Sequence, residues 1–194
     1  MKRFLLVICI LCGLFCTVSP AQAEDDVQYS IESYVGHLHL QEDSQATFTQ
    51  EITYDFHTGY NGQYVTLGSA DPLPKGFKIH ENPQVEAYVD GEKRDIRVEE
   101  SDLGDGRLLK IYNSRIVGGK VTIKVVWKID HILDLYSDIA ELNWFPLSDG
   151  DEDIAKLDFY VDGLDAKQGE LYAHTGYFNP PAQIDRTATS YHIQ

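Results

Sequence analysis

The sequence predicts an all-β chain: an antiparallel, immunoglobulin-like β-sandwich of about ten short strands, with at most one short helical turn. Two observations carry this. Apolar residues recur with period 2 along most of the chain, the spacing that turns one face of a strand toward a core. Gly, Pro, Asp and Asn gather in the gaps between those stretches, where turns require positive or fixed φ.

The first strand is read from Tyr34, Gly36, Leu38 and Leu40, which alternate with Val35, His37 and His39. A polar turn, Gln41 to Gln45, leads to Ala46 to Phe56, where Phe48, Ile52, Tyr54 and Phe56 share a face opposite Thr47, Thr49, Glu51, Thr53 and Asp55. The two strands make a hairpin. Gln84 to Val89 meets Asp90-Gly91, a pair suited to positive φ, and continues as Arg94 to Glu99 in a second hairpin. Lys120 to Asp130 is the clearest strand, with Val121, Ile123, Val125, Trp127 and Ile129 on one face. Gly118-Gly119 is read as the turn before it and Arg107 to Tyr112 as its partner, with either Leu109 and Ile111 or Leu108 and Tyr112 buried. His131 to Ile139 has the helical spacing Ile132, Leu135, Tyr136 and Ile139. Further strands are expected at Glu141 to Leu147, Ile154 to Val161 and Glu170 to His174, and Thr187 to Gln194 alternates like a strand that stops without a polar tail. That last feature suggests a fragment of a longer protein.

Residues 1–23 read as a secretory signal peptide: Met1-Lys2-Arg3, an apolar run from Phe4 to Val18, and Ala21-Gln22-Ala23 before Glu24. The run is shorter than the roughly 20 residues of a spanning helix. Phe15 and Leu11, which precede Cys16 and Cys12, are not the small residues that precede a lipid-modified cysteine. Cleavage removes all three cysteines (Cys9, Cys12 and Cys16) and leaves 171 residues, 24–194, as one domain held by packing alone. The formal charge goes from −15 to −17 with the loss of Lys2 and Arg3. Such a surface repels nucleic acid and anionic lipid and favours solubility, a bound cation or a basic partner.

Three stretches carry a family resemblance: Tyr29-Ser-Ile-Glu-Ser-Tyr34; Thr49-Gln-Glu-Ile-Thr-Tyr-Asp-Phe56 followed by Gly59-Tyr60-Asn61-Gly62; and Tyr136-Ser-Asp-Ile-Ala-Glu-Leu-Asn-Trp144. In this order the chain resembles the N-terminal extracellular domain of the DUF2207 family of bacterial membrane proteins. It departs where an Arg-Asp-Ile-like stretch usually follows Asn-Gly, since Asn61-Gly62 leads here into Gln63 to Leu67. The resemblance implies a β-rich domain outside the cell, joined to transmembrane helices through a C-terminal part absent from these residues. It implies no chemistry.

The residues themselves carry no nucleophile elbow, zinc-protease helix, phosphate-binding loop or dinucleotide fingerprint. His37 and His39, two apart on a strand, share a face and would need a third ligand to hold zinc; His57, His80, His131, His174 and His192 show no spacing signal. Asp149, Asp151 and Asp153 resemble the opening of a calcium loop, but Ile154 stands where its turn glycine belongs and Tyr160 where its closing glutamate belongs. Tyr60, Tyr64, Trp144, Phe145, Tyr172, Tyr177 and Phe178 fall near strand ends as a candidate sugar or peptide platform, with core packing the simpler fate. The expectation is therefore an exported interaction or sensing module rather than an enzyme. It is placed on the extracellular face of the membrane, or secreted if the chain is complete. Its partner is expected to be a protein or cell-envelope polysaccharide and not nucleic acid, and no catalytic, cofactor or metal residues are assigned. The alternatives are a cell-envelope carbohydrate hydrolase and a calcium-dependent adhesion domain.

Overall fold

The computed structural model describes residues 27–68, 74–104, 106–144, 147, 153–163, 170–172, 183–187 and 189–194. The predicted signal peptide, 1–23, lies outside them. Strands account for almost all regular structure: β1 (Tyr29–Leu40), β2 (Ala46–Leu67), β3 (Lys78–Ile79), β4 (Gln84–Val89), β5 (Glu92–Arg94), β6 (Ile96–Asp102), β7 (Arg107–Asp130), β8 (Asp134–Leu135), β9 (Ala140–Glu141), β10 (Leu157–Asp162), β11 (Ile184–Arg186) and β12 (Ser190–Ile193). A 3-10 turn spans Glu42–Ser44 between β1 and β2.

The main sheet runs β11-β12-β10-β1-β2-β7-β4-β5, with β3 and β6 also paired to β7. The predicted first hairpin is present, Leu38 opposite Phe48 and Leu40 opposite Ala46, with Tyr34, Leu38, Leu40, Phe48, Ile52, Tyr54 and Phe56 buried. An entirely antiparallel sheet is not found, because β1 pairs with β10 in parallel, from Tyr34 opposite Leu157 to His39 opposite Asp162. Phe159 lies over Gly36 at that junction, where a side chain on residue 36 would collide with the ring.

The predicted turn at Gly118-Gly119 is corrected: β7 is one strand, and its two halves both pair with β2. Residues 107–112 lie opposite 62–67 and residues 119–129 opposite 46–56, with register shifts around Tyr60. Gly119, at φ +87°, therefore serves a bend within a strand. The bend is sharp. Residues 50 and 66 of an extended strand lie about 50 Å apart, yet Gln50 Nε2 donates a hydrogen bond to the Thr66 carbonyl at 3.4 Å. Hence β2 doubles back on itself, taking β7 with it, and one sheet supplies both layers around the core, unlike the separate sheets of an immunoglobulin-like sandwich. Leu109 and Ile111 are the buried pair of the outer half, in the same core cluster as Trp127, Val125 and Ile123.

Other expectations are corrected by pairing. The second hairpin joins β4 to β5 alone, through Asp90-Gly91 at φ +50° and +83°. After Asp95 the chain leaves β4, and β6 pairs instead with residues 107–113 of β7. His131 to Ile139 forms no helical turn but the start of a small β8–β9 hairpin. Among the described residues of the Glu141 to Leu147 stretch only Glu141 is in a strand, Ile154 makes an isolated bridge before β10, and residues 170–172 are not strand, the rest of the predicted Glu170 to His174 strand lying outside the described residues.

Candidate functional site

The β8–β9 hairpin is pinned at its root. Ile132 is buried and its backbone N donates to the Ser44 carbonyl at 3.0 Å. Ser44 Oγ accepts from Leu133 N at 2.8 Å and donates to the Leu133 carbonyl at 3.1 Å. After the hairpin, Trp144 returns to the core, edge-on to Phe48 at 4.8 Å, with Nε1 donating to the Gly68 carbonyl at 3.2 Å. Between these anchors Tyr136 N bonds the Ile139 carbonyl at 2.9 Å, closing a tight turn. That turn presents Leu135, Tyr136 and Ile139 at 64%, 58% and 61% exposure. The helical spacing read from these residues was real as a pattern, but only Ile132 meets a core. Asp134, Asp138 and Glu141 flank the apolar tip.

A second concentration of chemistry lies on the outer face where β1 meets β10. His37 and His39 both point to solvent, as the alternation predicts, and each is hydrogen-bonded to the Asp162 carboxylate. His37 Nε2 is 2.7 Å from Asp162 Oδ2, and His39 Nδ1 bonds Oδ1. Partial burial opposes ionisation of Asp162, but the two imidazole hydrogen bonds outweigh it and hold the carboxyl below its usual range. Alongside, Tyr160 stacks on His192 at 4.2 Å, and His192 Nε2 is 2.9 Å from Asp158 Oδ1. Lys156 on the other Asp158 oxygen, at 2.7 Å, together with His192 holds that carboxyl down. Among the described residues no group of three His, Cys, Asp or Glu is placed to hold a metal ion. The arrangement clamps β10 and β12 to β1 through hydrogen bonds.

A third feature opens between the layers. Asn82, Pro83 and Val85 face Ile96, Val98 and Glu100 of β6 across a groove of about 370 Å³. Arg107, nearly buried, pairs with the groove residue Glu100 at 3.6 Å, and also lies 3.6 Å from Glu81 and 3.7 Å from Asp102. No motif marks these residues in the sequence. Their adjacency follows from β6 crossing to the second layer.

The calcium-loop candidates Asp149 and Asp151 lie outside the described residues, as do His174, Phe145, Tyr177 and Phe178. The remaining aromatics do not gather into one platform. Tyr60 is buried and stacked on Phe56 at 3.7 Å, its phenol pushed by burial up to about 12, whereas Tyr64 and Tyr172 are exposed on separate segments.

Residues 30–193 match the family described as the predicted membrane protein (DUF2207) N-terminal domain. No curated protein matches the sequence. Among solved structures the chain is similar to an M1 zinc metallopeptidase from Deinococcus radiodurans, at 10% identity and TM-score 0.43, over 85% of this chain and 38% of that one. Native yeast LTA4 hydrolase matches at 12% identity and TM-score 0.43, over 85% of this chain and 26% of the enzyme. A putative protease from Parabacteroides distasonis matches at 11% identity and TM-score 0.39, over 85% and 34% of the respective chains. The chain thus spans well under half the length of each of these proteins, and likeness at this level says nothing of what it binds or cuts.

Proposed function

The chain belongs to the DUF2207 family of predicted membrane proteins, as their N-terminal domain, and from this premise we propose that it is an exported interaction or sensing module on the extracellular face of the membrane, and not a catalyst. The doubled-over sheet acts as a rigid, sandwich-like platform, and the β8–β9 hairpin is its presenting element. One observation carries the reading: Leu135, Tyr136 and Ile139 stand about 60% exposed on a hairpin whose two ends are tied into the core. An apolar cluster held out on an anchored hairpin loses little backbone ordering entropy on docking, and its burial supplies affinity. Acidic neighbours at 134, 138 and 141 suit a protein partner whose apolar site has a basic rim, and oppose an anionic lipid surface.

The test is photo-crosslinking in intact cells producing the protein, with a benzophenone amino acid at position 135 or 139 and, as control, at the exposed Glu92 of β5. A discrete protein adduct specific to the hairpin positions is expected. Adducts at all three positions alike, or none at the hairpin, would overturn the assignment.

A further inference from the structure

Strand β6 has a free side. Among the described residues its seven-residue backbone is hydrogen-bonded to β7 alone, so outward N–H and C=O groups line an edge open to another strand. The inward face of the same strand is Ile96, Val98 and Glu100, and it forms one wall of the groove of about 370 Å³ whose other wall is Pro83 and Val85. A strand added at this edge would place alternate side chains into that groove.

Charge selects among such strands. Glu100 Oε2 accepts from Asn82 N at 2.8 Å, but Oε1 is buried with no hydrogen-bond donor. Its ion-pair partner Arg107 is 3.6 Å away and is shared with Glu81 and Asp102, leaving three carboxylates around one guanidinium. An inward-pointing carboxylate on an edge strand repels ordinary apolar strands and, with them, a second copy of this edge, which would bury two such groups together. A strand carrying a cation opposite Glu100 escapes that penalty and gains a charge-assisted hydrogen bond. The formal net charge of −15 acts in the same direction.

We infer that the edge of β6 and the groove beside it form a docking strip for an extended segment in which a lysine or arginine is followed by alternating aliphatic residues. The inference rests on the interaction-module reading and names a partner chemistry for it. In antiparallel register the basic residue lies opposite Glu100 and the aliphatic residues opposite Val98 and Ile96.

The probe is the peptide acetyl-Lys-Thr-Val-Thr-Val-amide, titrated into the purified chain by NMR. Saturable binding is expected, with slowed amide exchange in residues 96–102. Norleucine in place of the lysine, or Glu100→Gln in the protein, lowers affinity about tenfold or more. Glu100→Lys restores it toward the peptide with glutamate at the first position. Because Glu100 touches Arg107, Val98→Arg serves as a second variant that fills the groove from the rim and also abolishes binding. No saturable binding, or equal affinity for the norleucine peptide, overturns the strip. So does edge-dependent dimerisation of the free chain that Val98→Arg removes, which would assign the edge to a second copy. A silent peptide with hairpin adducts intact refutes the strip and leaves the module standing; loss of both refutes both.

Discussion

Gly36→Ala tests whether the parallel β1–β10 junction is built as described. A methyl group on residue 36 would sit 2.5 Å from Phe159 Cε2 and 3.2 Å from the Phe48 ring. Ordinary carbon contacts lie about 3.5 to 4 Å apart, so the added atom overlaps the Phe159 ring by about 1 Å. The ring cannot swing freely, because it also packs near Phe48 at 5.8 Å and Trp144 at 6.3 Å between centroids. Overpacking of this kind costs about 1 to 3 kcal/mol, which for a chain of this size lowers Tm by about 2 to 12 °C. Thermal unfolding followed by circular dichroism measures it, and a double-mutant cycle with Phe159→Leu separates collision from any general intolerance of alanine in β1. In the leucine background Gly36→Ala should cost at least about 1 kcal/mol less than in the native chain. A Gly36→Ala variant as stable as the parent, or a cost unchanged by Phe159→Leu, would refute the packing of β10 on β1.

Three more perturbations probe other levels of the structure. Gln50 links the layers by accepting from Trp127 Nε1 at 3.1 Å and donating to Thr66, so Gln50→Leu leaves the buried indole N–H without its acceptor; this should cost about 1 to 3 kcal/mol in urea unfolding, and a neutral result would contradict the doubled-back strand. Asp158 and Asp162 have carboxyls held below the usual range, so the unfolded chain takes up protons first as pH falls: their stabilisation is present above about pH 4 and is lost below it as the folded groups protonate. Asp158→Asn with Asp162→Asn should therefore flatten the urea midpoint between pH 4 and pH 2.5, and an unchanged slope would count against both clamps. Burial drives the Tyr34 and Tyr54 phenols well above their ordinary value, so their neutral forms favour the folded state and that contribution disappears as pH rises past about 10, where the unfolded phenols ionise. Spectrophotometric titration at 295 nm should leave these two of the twelve tyrosines silent until the chain unfolds, and smooth titration of all twelve in the folded chain would argue against the buried pair.

Much of the fold was legible because strand alternation is local. Val121, Ile123, Val125, Trp127 and Ile129 were assigned to one face from spacing alone, and all are buried; the same holds for Tyr34, Leu38 and Leu40. What spacing cannot specify is whether a glycine pair ends a strand or bends it. Gly118-Gly119 satisfies a turn and a bulge equally, and the choice was made by β2, whose residues 46–56 and 62–67 offer pairing partners on both sides of the bend. A local signal was thus read correctly and connected wrongly, since pairing energy comes from a strand that lies about 60 residues away in sequence.

The site residues were hidden for a related reason. Period and spacing state which side chains share a face, and are silent on whether anything lies opposite. Leu135, Tyr136 and Ile139 carry the same pattern whether they cover a core or project into solvent, and only the anchors at Ser44, Leu133 and Trp144 make the second outcome hold. Asp162 stands 125 residues from His37 and joins it through a parallel register, the pairing for which a sequence has no turn signal. Glu100 was visible as one more acid in an acidic chain. Its meaning comes from pointing inward on a strand with an open edge, where a carboxylate oxygen with no hydrogen-bond donor becomes a condition on what can bind.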